Sequence, residues 1–240
     1  MTRVAVITGG TRGIGAEVSK GLHKAGYKVV ANYHRNVEGA ERFRDETGIP
    51  VESWNVADYD ACDESVLRIA DKYGPVDILI NNAGITRDVV LHRMPKEAWH
   101  DVIETNLTSC YNMCRTVIPG MRERGFGRIV NIGSINGQAG QVGQCNYAAA
   151  KAGMLGFTKA LALESAPKGI TVNAICPGYV DTEMVQAVPE KVREVIRSRI
   201  PVGRFGDPRE IAHAVLFLIA DDAMFCTGAT LAINGGQYMS

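Results

Sequence analysis

Val4-Ala5-Val6-Ile7-Thr8-Gly9-Gly10-Thr11-Arg12-Gly13-Ile14-Gly15 is an apolar, β-branched run followed by a glycine-rich turn, and helical periodicity takes over from Ala16 to Ala25. A run of that kind reads as a strand, and glycines let the turn double back and bring backbone N–H groups close to an anion. The amino end of the following helix favours negative charge. Strand, turn and helix in that order form the pyrophosphate end of a dinucleotide site, a context that a lone glycine-rich loop lacks. Gly9, Thr11, Arg12, Gly13, Ile14 and Gly15 are the candidate contacts there.

The same alternation continues downstream. Tyr27–Tyr33, Val51–Val56, Val76–Asn82, Arg128–Ser134, Ile170–Pro177 and Ala229–Gly235 read as strands, while Val37–Thr47, Cys62–Lys72, Ala98–Arg122 and Tyr147–Ala166 carry helical spacing. Strands separated by helices imply a parallel sheet, and right-handed crossovers make it α/β, doubly wound and Rossmann-type, with helices on both faces. At 240 residues without a composition shift, one domain is expected.

Cofactor choice is legible at the end of the second strand, Ala31-Asn32-Tyr33-His34-Arg35. An acidic residue there would bond a ribose 2′-hydroxyl and repel a 2′-phosphate; none is present, and Arg12 and Arg35 supply positive charge, so NADP(H) is expected, with Tyr33 beside it. Asn55 and Val56, at the end of the third strand, are placed at the adenine, and Asn82, Ala83 and Gly84 close the fourth.

Tyr147 and Lys151 lie four apart, on one helical face, and Ser134 ends the strand before them. A phenol is a poor acid near neutral pH, and one cation about 4 Å away at an effective dielectric of about 20 supplies roughly 4 kcal/mol towards its ionised form. The trio outlines a proton-transfer site.

Composition narrows the alternatives. Lysines plus arginines number 26, as do aspartates plus glutamates, so no overall field favours nucleic acid or an anionic membrane. The six cysteines form no Cys-x-x-Cys pair and read as reduced, buried thiols, and the five histidines include no His-x-x-x-His pair, which leaves a metal without support. The apolar run around Val215–Ala220 is far shorter than the roughly 20 residues of a membrane span, so a soluble, cytoplasmic protein without membrane partners is expected. From Pro177 to Asp207 prolines and glycines punctuate a helical stretch bearing Lys191, Arg193, Arg197 and Arg199. Residues 180–207 read either as a lid over the carboxyl ends of the strands or as a solvated surface helix.

Taken together, Thr8-Gly-x-x-x-Gly-Ile-Gly15, Asn81-Asn-Ala-Gly84, Asn106, Ser134, Tyr147-x-x-x-Lys151 and Pro177-Gly178 resemble the short-chain dehydrogenase/reductase family over essentially the whole chain. The resemblance implies a catalytic set of Asn106, Ser134, Tyr147 and Lys151. Tyr147 would donate a proton, Ser134 would bond the substrate carbonyl oxygen, Lys151 would hold the nicotinamide ribose, and Asn106 would anchor a relay water. It further implies a nicotinamide pocket at Pro177, Gly178, Val180 and Thr182, and a homotetramer joined through the two long helices. Within the family, Asn82–Asp88, Ser134–Gln144, Cys176–Tyr179 and Asn234–Met239 look like the bacterial acetoacetyl-CoA reductase branch. That branch implies an acyl-CoA thioester substrate, with Asp88, Gln141, Gln144 and Tyr179 around a short 3-oxoacyl chain. Gly133 and Val142 depart from what relatives carry, the second in a way that widens the acyl pocket. The acyl-carrier-protein branch shares the catalytic set, and its acidic partner would need a basic surface such as Arg122, Arg124, Arg128 and Lys168.

Overall fold

Each of the seven apolar runs becomes a strand: β1 Val4–Ile7, β2 Lys28–Tyr33, β3 Val51–Ser53, β4 Val76–Asn81, β5 Gly127–Ile132, β6 Ile170–Pro177 and β7 Thr230–Ile233. The computed structural model describes residues 2–239. All ladders are parallel, in the order β3-β2-β1-β4-β5-β6-β7. The order reverses between β1 and β4, and in such sheets the crevice at the carboxyl ends beside that reversal receives the ligand.

The helices are α1 Gly13–Lys24, α2 Val37–Thr47, α3 Tyr59–Tyr73, α4 Lys96–Ile103, α5 Ser109–Arg124, α6 Asn136–Ala139, α7 Cys145–Ser165, α8 Glu183–Gln186, α9 Glu190–Ser198 and α10 Pro208–Ile219. Neighbouring strand residues point to opposite faces, so Ala5 and Ile7 join a core with Val18, Leu22, Val215 and Leu218 of α1 and α10. Val4 and Val6 join the other core, with Val66 and Ile69 of α3 and Met113 and Val117 of α5. Burial on both faces is why the strands are continuously apolar instead of alternating. Among the described residues no helix is long and apolar enough to cross a membrane.

Three differences from the sequence reading have local causes. The third strand stops at Ser53 because Asn55 turns the chain, its Oδ1 accepting from Ala57 N at 3.1 Å. Asn55 and Val56 therefore sit in the loop that leads to α3. The predicted Ala98–Arg122 helix is interrupted by a π-helical turn, Glu104–Thr108, that centres on Asn106. Third, α10 starts well before the apolar run, at a reciprocal capping box between Asp207 and Glu210 with Pro208 in the first turn.

That cap makes a pH prediction. The Arg209 side-chain hydrogen bond holds Asp207 down at about 2, and the Arg204 side-chain bond holds Glu210 down at about 2. Both folded values lie below the unfolded ones of about 3.9 and 4.3. The stabilisation is therefore complete above the unfolded values and is lost as pH falls through about 2. Asp207→Ala is expected to cost about 1 kcal/mol near neutral pH. Melting curves of both proteins should differ by a constant amount from about pH 5 to pH 7 and converge as the pH approaches the folded values.

Candidate active site

The turn after β1 is a backbone cradle. Gly9 and Gly13 have φ of 60° and 52°, and a Cβ on Gly15 would stand 2.2 Å from the Gly9 carbonyl oxygen. Only glycine fits that crossing, which leaves the amino end of α1 open, with no side-chain cap from Arg12. The loops around it are tied by three polar side chains. Thr8 Oγ1 accepts from Asn82 N at 2.9 Å and Ala83 N at 3.0 Å. Asn82 Nδ2 donates to Thr8 O at 2.9 Å and Gly9 O at 3.1 Å. Buried Asn32 accepts from Gly9 N at 3.1 Å and donates to Trp54 O at 3.1 Å, joining the ends of β1, β2 and β3. Arg12 and Arg35 are exposed, while Thr11, Ile14 and Tyr33 are half-buried along the crevice. The residues present thus suit a dinucleotide: bare N–H groups, room for backbone approach and two cations at the ribose end. Across the crevice, a Cβ on Gly13 would come 3.6 Å from Thr182 Cγ2, so the turn after β6, Pro177–Thr182, faces the phosphate turn.

The proton-transfer residues converge from β5, α7 and the π turn. A buried chain runs from Asn81 Nδ2 to Asn131 Oδ1 at 2.8 Å, and from Asn131 Nδ2 to Thr158 Oγ1 at 2.8 Å, locking β4, β5 and α7 in register. Lys151 on α7 is 3% exposed; its Nζ donates to Ile132 O at 2.6 Å and lies 5.7 Å from the Tyr147 ring centroid. Gly84 makes room for this convergence: a Cβ there would lie 3.3 Å from Asn106 Oδ1 and 3.8 Å from Lys151 Nζ. Asn106 is fully buried, and its side chain is spent on the backbone of Ile85, accepting from N at 2.8 Å and donating to O at 2.9 Å. Ser134 Oγ accepts from Asn136 N at 3.1 Å, which leaves its own O–H free to donate. Asn146, which the sequence reading missed, fixes the start of α7. Its Nδ2 donates to Arg87 O at 3.2 Å and Ala98 O at 2.9 Å, while its Oδ1 accepts from Tyr147 N at 2.8 Å.

Around the mouth, Gln144 is buried and engaged at both ends. It accepts from Asn136 Nδ2 at 2.9 Å and donates to Asp88 Oδ2 at 2.8 Å. The carboxylate can only accept, so it sets the direction of both amides. With Val89 N donating to Gly143 O at 2.8 Å, this clamp joins the loops after β4 and β5. Gln141 and Val142 stand exposed at the rim. Tyr179 is half-buried; burial first, and then the charge of Asp88, push its hydroxyl's pKa upward against the opposing effect of Arg199. A side chain at Gly133 would meet Cys176 Sγ at 2.8 Å, so glycine there matches the thiol behind it.

Cys62, Cys110, Cys114 and Cys176 are buried as expected, whereas Cys145 is exposed at the start of α7. Burial raises the Cys62 thiol to about 12 and that of Cys110 to about 11, which makes both poor nucleophiles.

The basic surface considered for a carrier protein does not adjoin this site. Arg122, Arg124 and Arg128 precede or begin β5 and Lys168 precedes β6, at the amino ends of the strands. Ser134 and the residues read with it as catalytic lie beyond the carboxyl end of the six-residue β5, about 20 Å away at roughly 3.3 Å per residue. Arg128 is also buried, held by Gly127 O, Gly169 O and the Phe126 ring. Arg124 is bound to Val76 O and Asp77.

In the segment after β6, α9 buries none of its residues. Arg193 and Arg197 stack on Phe205 and pair with Glu190. Val192 and Val195 remain about half exposed, at 48% and 51%.

A family model described as short chain dehydrogenase matches residues 3–193. The chain is 61% identical to an acetoacetyl-CoA reductase of Rhizobium meliloti over 100% of both chains. It is 57% identical to an acetoacetyl-CoA reductase of Paracoccus denitrificans over 99% of both. It is 45% identical to a 3-oxoacyl-[acyl-carrier-protein] reductase of Vibrio cholerae, over 99% of this chain and 98% of that one.

Proposed function

We propose, because this chain belongs to the short-chain dehydrogenase family, that it catalyses the NADPH-dependent reduction of acetoacetyl-CoA to (R)-3-hydroxybutyryl-CoA, the step that supplies monomer for polyhydroxybutyrate. The observation that carries the substrate is the full-length identity of 57% to 61% with three acetoacetyl-CoA reductases; two others, at 48% and 46%, stand near the 45% and 44% of the carrier-protein enzymes.

NADPH, when bound, supplies the hydride. Gly9, Thr11, Gly13, Ile14 and Gly15 would hold its pyrophosphate, Arg12, Tyr33 and Arg35 its phosphorylated ribose, and Asn55 and Val56 its adenine. Asn82, Ala83, Gly84, Pro177, Gly178, Val180 and Thr182 would enclose the nicotinamide half. Tyr147 gives its hydroxyl proton to the 3-oxo oxygen as charge develops there, and Ser134 donates its free O–H to the same atom. The Lys151 ammonium spends one N–H on Ile132 O. Its other two can meet the ribose hydroxyls, and its charge stabilises the phenolate that remains. Asn106 would contribute to proton return through its backbone carbonyl, which lies in the π turn and accepts from Cys110 Sγ at 3.6 Å, since its side chain is occupied by Ile85.

Gln141, Tyr179 and the Asp88–Gln144 clamp would border the acyl chain. Residues 180–207 act as a lid on a single NADP(H)-binding domain, and Lys191 and Arg199 meet the CoA phosphates. A cytoplasmic homotetramer joined through α5 and α7, where Tyr111 and Leu163 stand exposed, completes the reading. The carrier-protein thioester is the competing substrate at this same site, and the carrier-protein reductases of two Vibrio species, 45% and 44% identical, support it. NADPH absorbance followed with acetoacetyl-CoA, with NADH in parallel and chiral analysis of the product, is the test. Fast consumption of NADPH, slow consumption of NADH and an (R) product are expected; no turnover would refute the proposal.

A further inference from the structure

We infer that Gln237 is a positioning residue: the hook Asn234–Gln237 after β7 ties the nicotinamide turn to the exit of the lid, so that cofactor binding and lid position are coupled. The inference rests on the functional reading of that turn and that lid.

Past Ile233 the chain folds back through Gly235 and Gly236, at φ of 63° and 86°. Asn234 closes the bend with both ends of its side chain, accepting from Gly236 N at 3.0 Å and donating to Tyr238 O at 2.9 Å. On one side the hook grips the turn after β6. Gly178 N donates to Ile233 O at 3.0 Å and Tyr179 N to Gln237 Oε1 at 3.4 Å. A Cβ on Gly178 would lie 2.7 Å from Gln237 Oε1 and 2.8 Å from Asn234 Cα, so the two segments are in full contact. On the other side the hook grips the end of the lid. Val202 N donates to Gly235 O at 3.1 Å, and a Cβ on Gly235 would lie 2.8 Å from Ile200 Cγ2.

The two ends of the lid are also joined to each other. Val180 bridges Gly206, Gly206 N donates to Tyr179 O at 2.9 Å, and Asp181 N donates to Gly206 O at 2.8 Å. Between neck and hook lies a cavity of about 110 Å³, lined by Tyr179, Ile200, Val202, Ile233, Asn234 and Gly235 among others. The lid therefore cannot shift at its exit without moving the hook, and the hook is bonded to the backbone that flanks the nicotinamide pocket. Among the described residues, Gln237 supplies the side-chain acceptor that bonds the hook to the nicotinamide turn, and the cavity gives the linkage room to repack.

Limited trypsin digestion of the full-length protein, read by intact mass at Lys191, Arg193, Arg197 and Arg199, tests this, with NADP+ affinity measured by calorimetry on the same samples. In the wild type NADP+ should slow lid cleavage with the concentration dependence of binding. In Gln237→Ala the protection at saturating NADP+ should fall roughly fivefold, the equivalent of one neutral hydrogen bond, with the melting temperature lowered by no more than about 2–4 °C. Gln237→Glu keeps the oxygen acceptor and should keep the protection, while Gln237→Met, of similar size without that oxygen, should lose it as Gln237→Ala does, a split that a merely space-filling side chain would not explain. Equal protection in wild type and Gln237→Ala at saturation would overturn the inference, as would a wild type that binds NADP+ and gains no protection. A wild type that binds no NADP+ would instead remove the cofactor reading beneath it, and the inference with it.

Discussion

Tyr147→Phe should lower kcat/KM for acetoacetyl-CoA by about a thousandfold, roughly 4 kcal/mol of transition-state stabilisation, and leave NADPH affinity nearly unchanged. The substitution deletes one oxygen. Asn146 still accepts from the backbone N–H of residue 147, so the start of α7 stays anchored, and the ring keeps its place beside Lys151. What disappears is the proton donor and the hydrogen bond it forms as the substrate oxygen gains charge. Stopped-flow measurement of NADPH binding beside steady-state turnover separates the two effects. Turnover within tenfold of wild type would mean that the proton comes from elsewhere. Ser134 would be the next residue to substitute, because its Oγ accepts from Asn136 N and its own O–H is left to donate.

Lys151→Met should reduce kcat by about a hundredfold or more and raise the KM for NADPH by roughly tenfold, because one group serves both the cofactor and the phenolate. Methionine matches the length of the stem and removes the charge, and the site is nearly sealed at 3% exposure. The Ile132 carbonyl loses its 2.6 Å partner, so a loss of about 1–3 kcal/mol in stability accompanies the kinetic effect. Lys151→Arg should fail to rescue activity, since a planar guanidinium cannot take the place of a compact ammonium between Gly84 and Ile132 O. A variant with raised KM and intact kcat would confine Lys151 to holding the cofactor.

How much of this was legible in the sequence differs by residue. The strands were legible because a parallel sheet buried on both faces leaves unbroken runs such as Val4–Ile7 and Ile170–Pro177. The glycine cradle was legible because Gly9, Gly13 and Gly15 are required by backbone geometry alone. The π turn at Asn106 was not, because inserting one residue leaves the local helical pattern nearly intact, and the cause lies 21 residues away at Ile85. Asn146, Asn136 and Asn131 carry no local signal either, since their bonds reach residues on other elements. The start of α10 could have been read from Asp207-Pro208-x-Glu210, a capping box with proline in the first turn. The misplaced carrier-protein surface had a readable remedy too: residues that precede a parallel strand lie at its amino end, away from the site. Gln144 shows the opposite limit, for the residue was singled out while its engagement, by Asn136 at the start of α6 and by Asp88 after β4, could not be read from its neighbours.

The proposed reaction is reduction of a CoA thioester with NADPH at this site. The most direct measurement is kcat/KM for acetoacetyl-CoA and for acetoacetyl-acyl-carrier-protein at matched concentrations, each with NADPH and with NADH. A clear preference for the CoA thioester with NADPH is the predicted result. A clear preference for the carrier-protein thioester would contradict it and reassign the site to fatty-acid elongation.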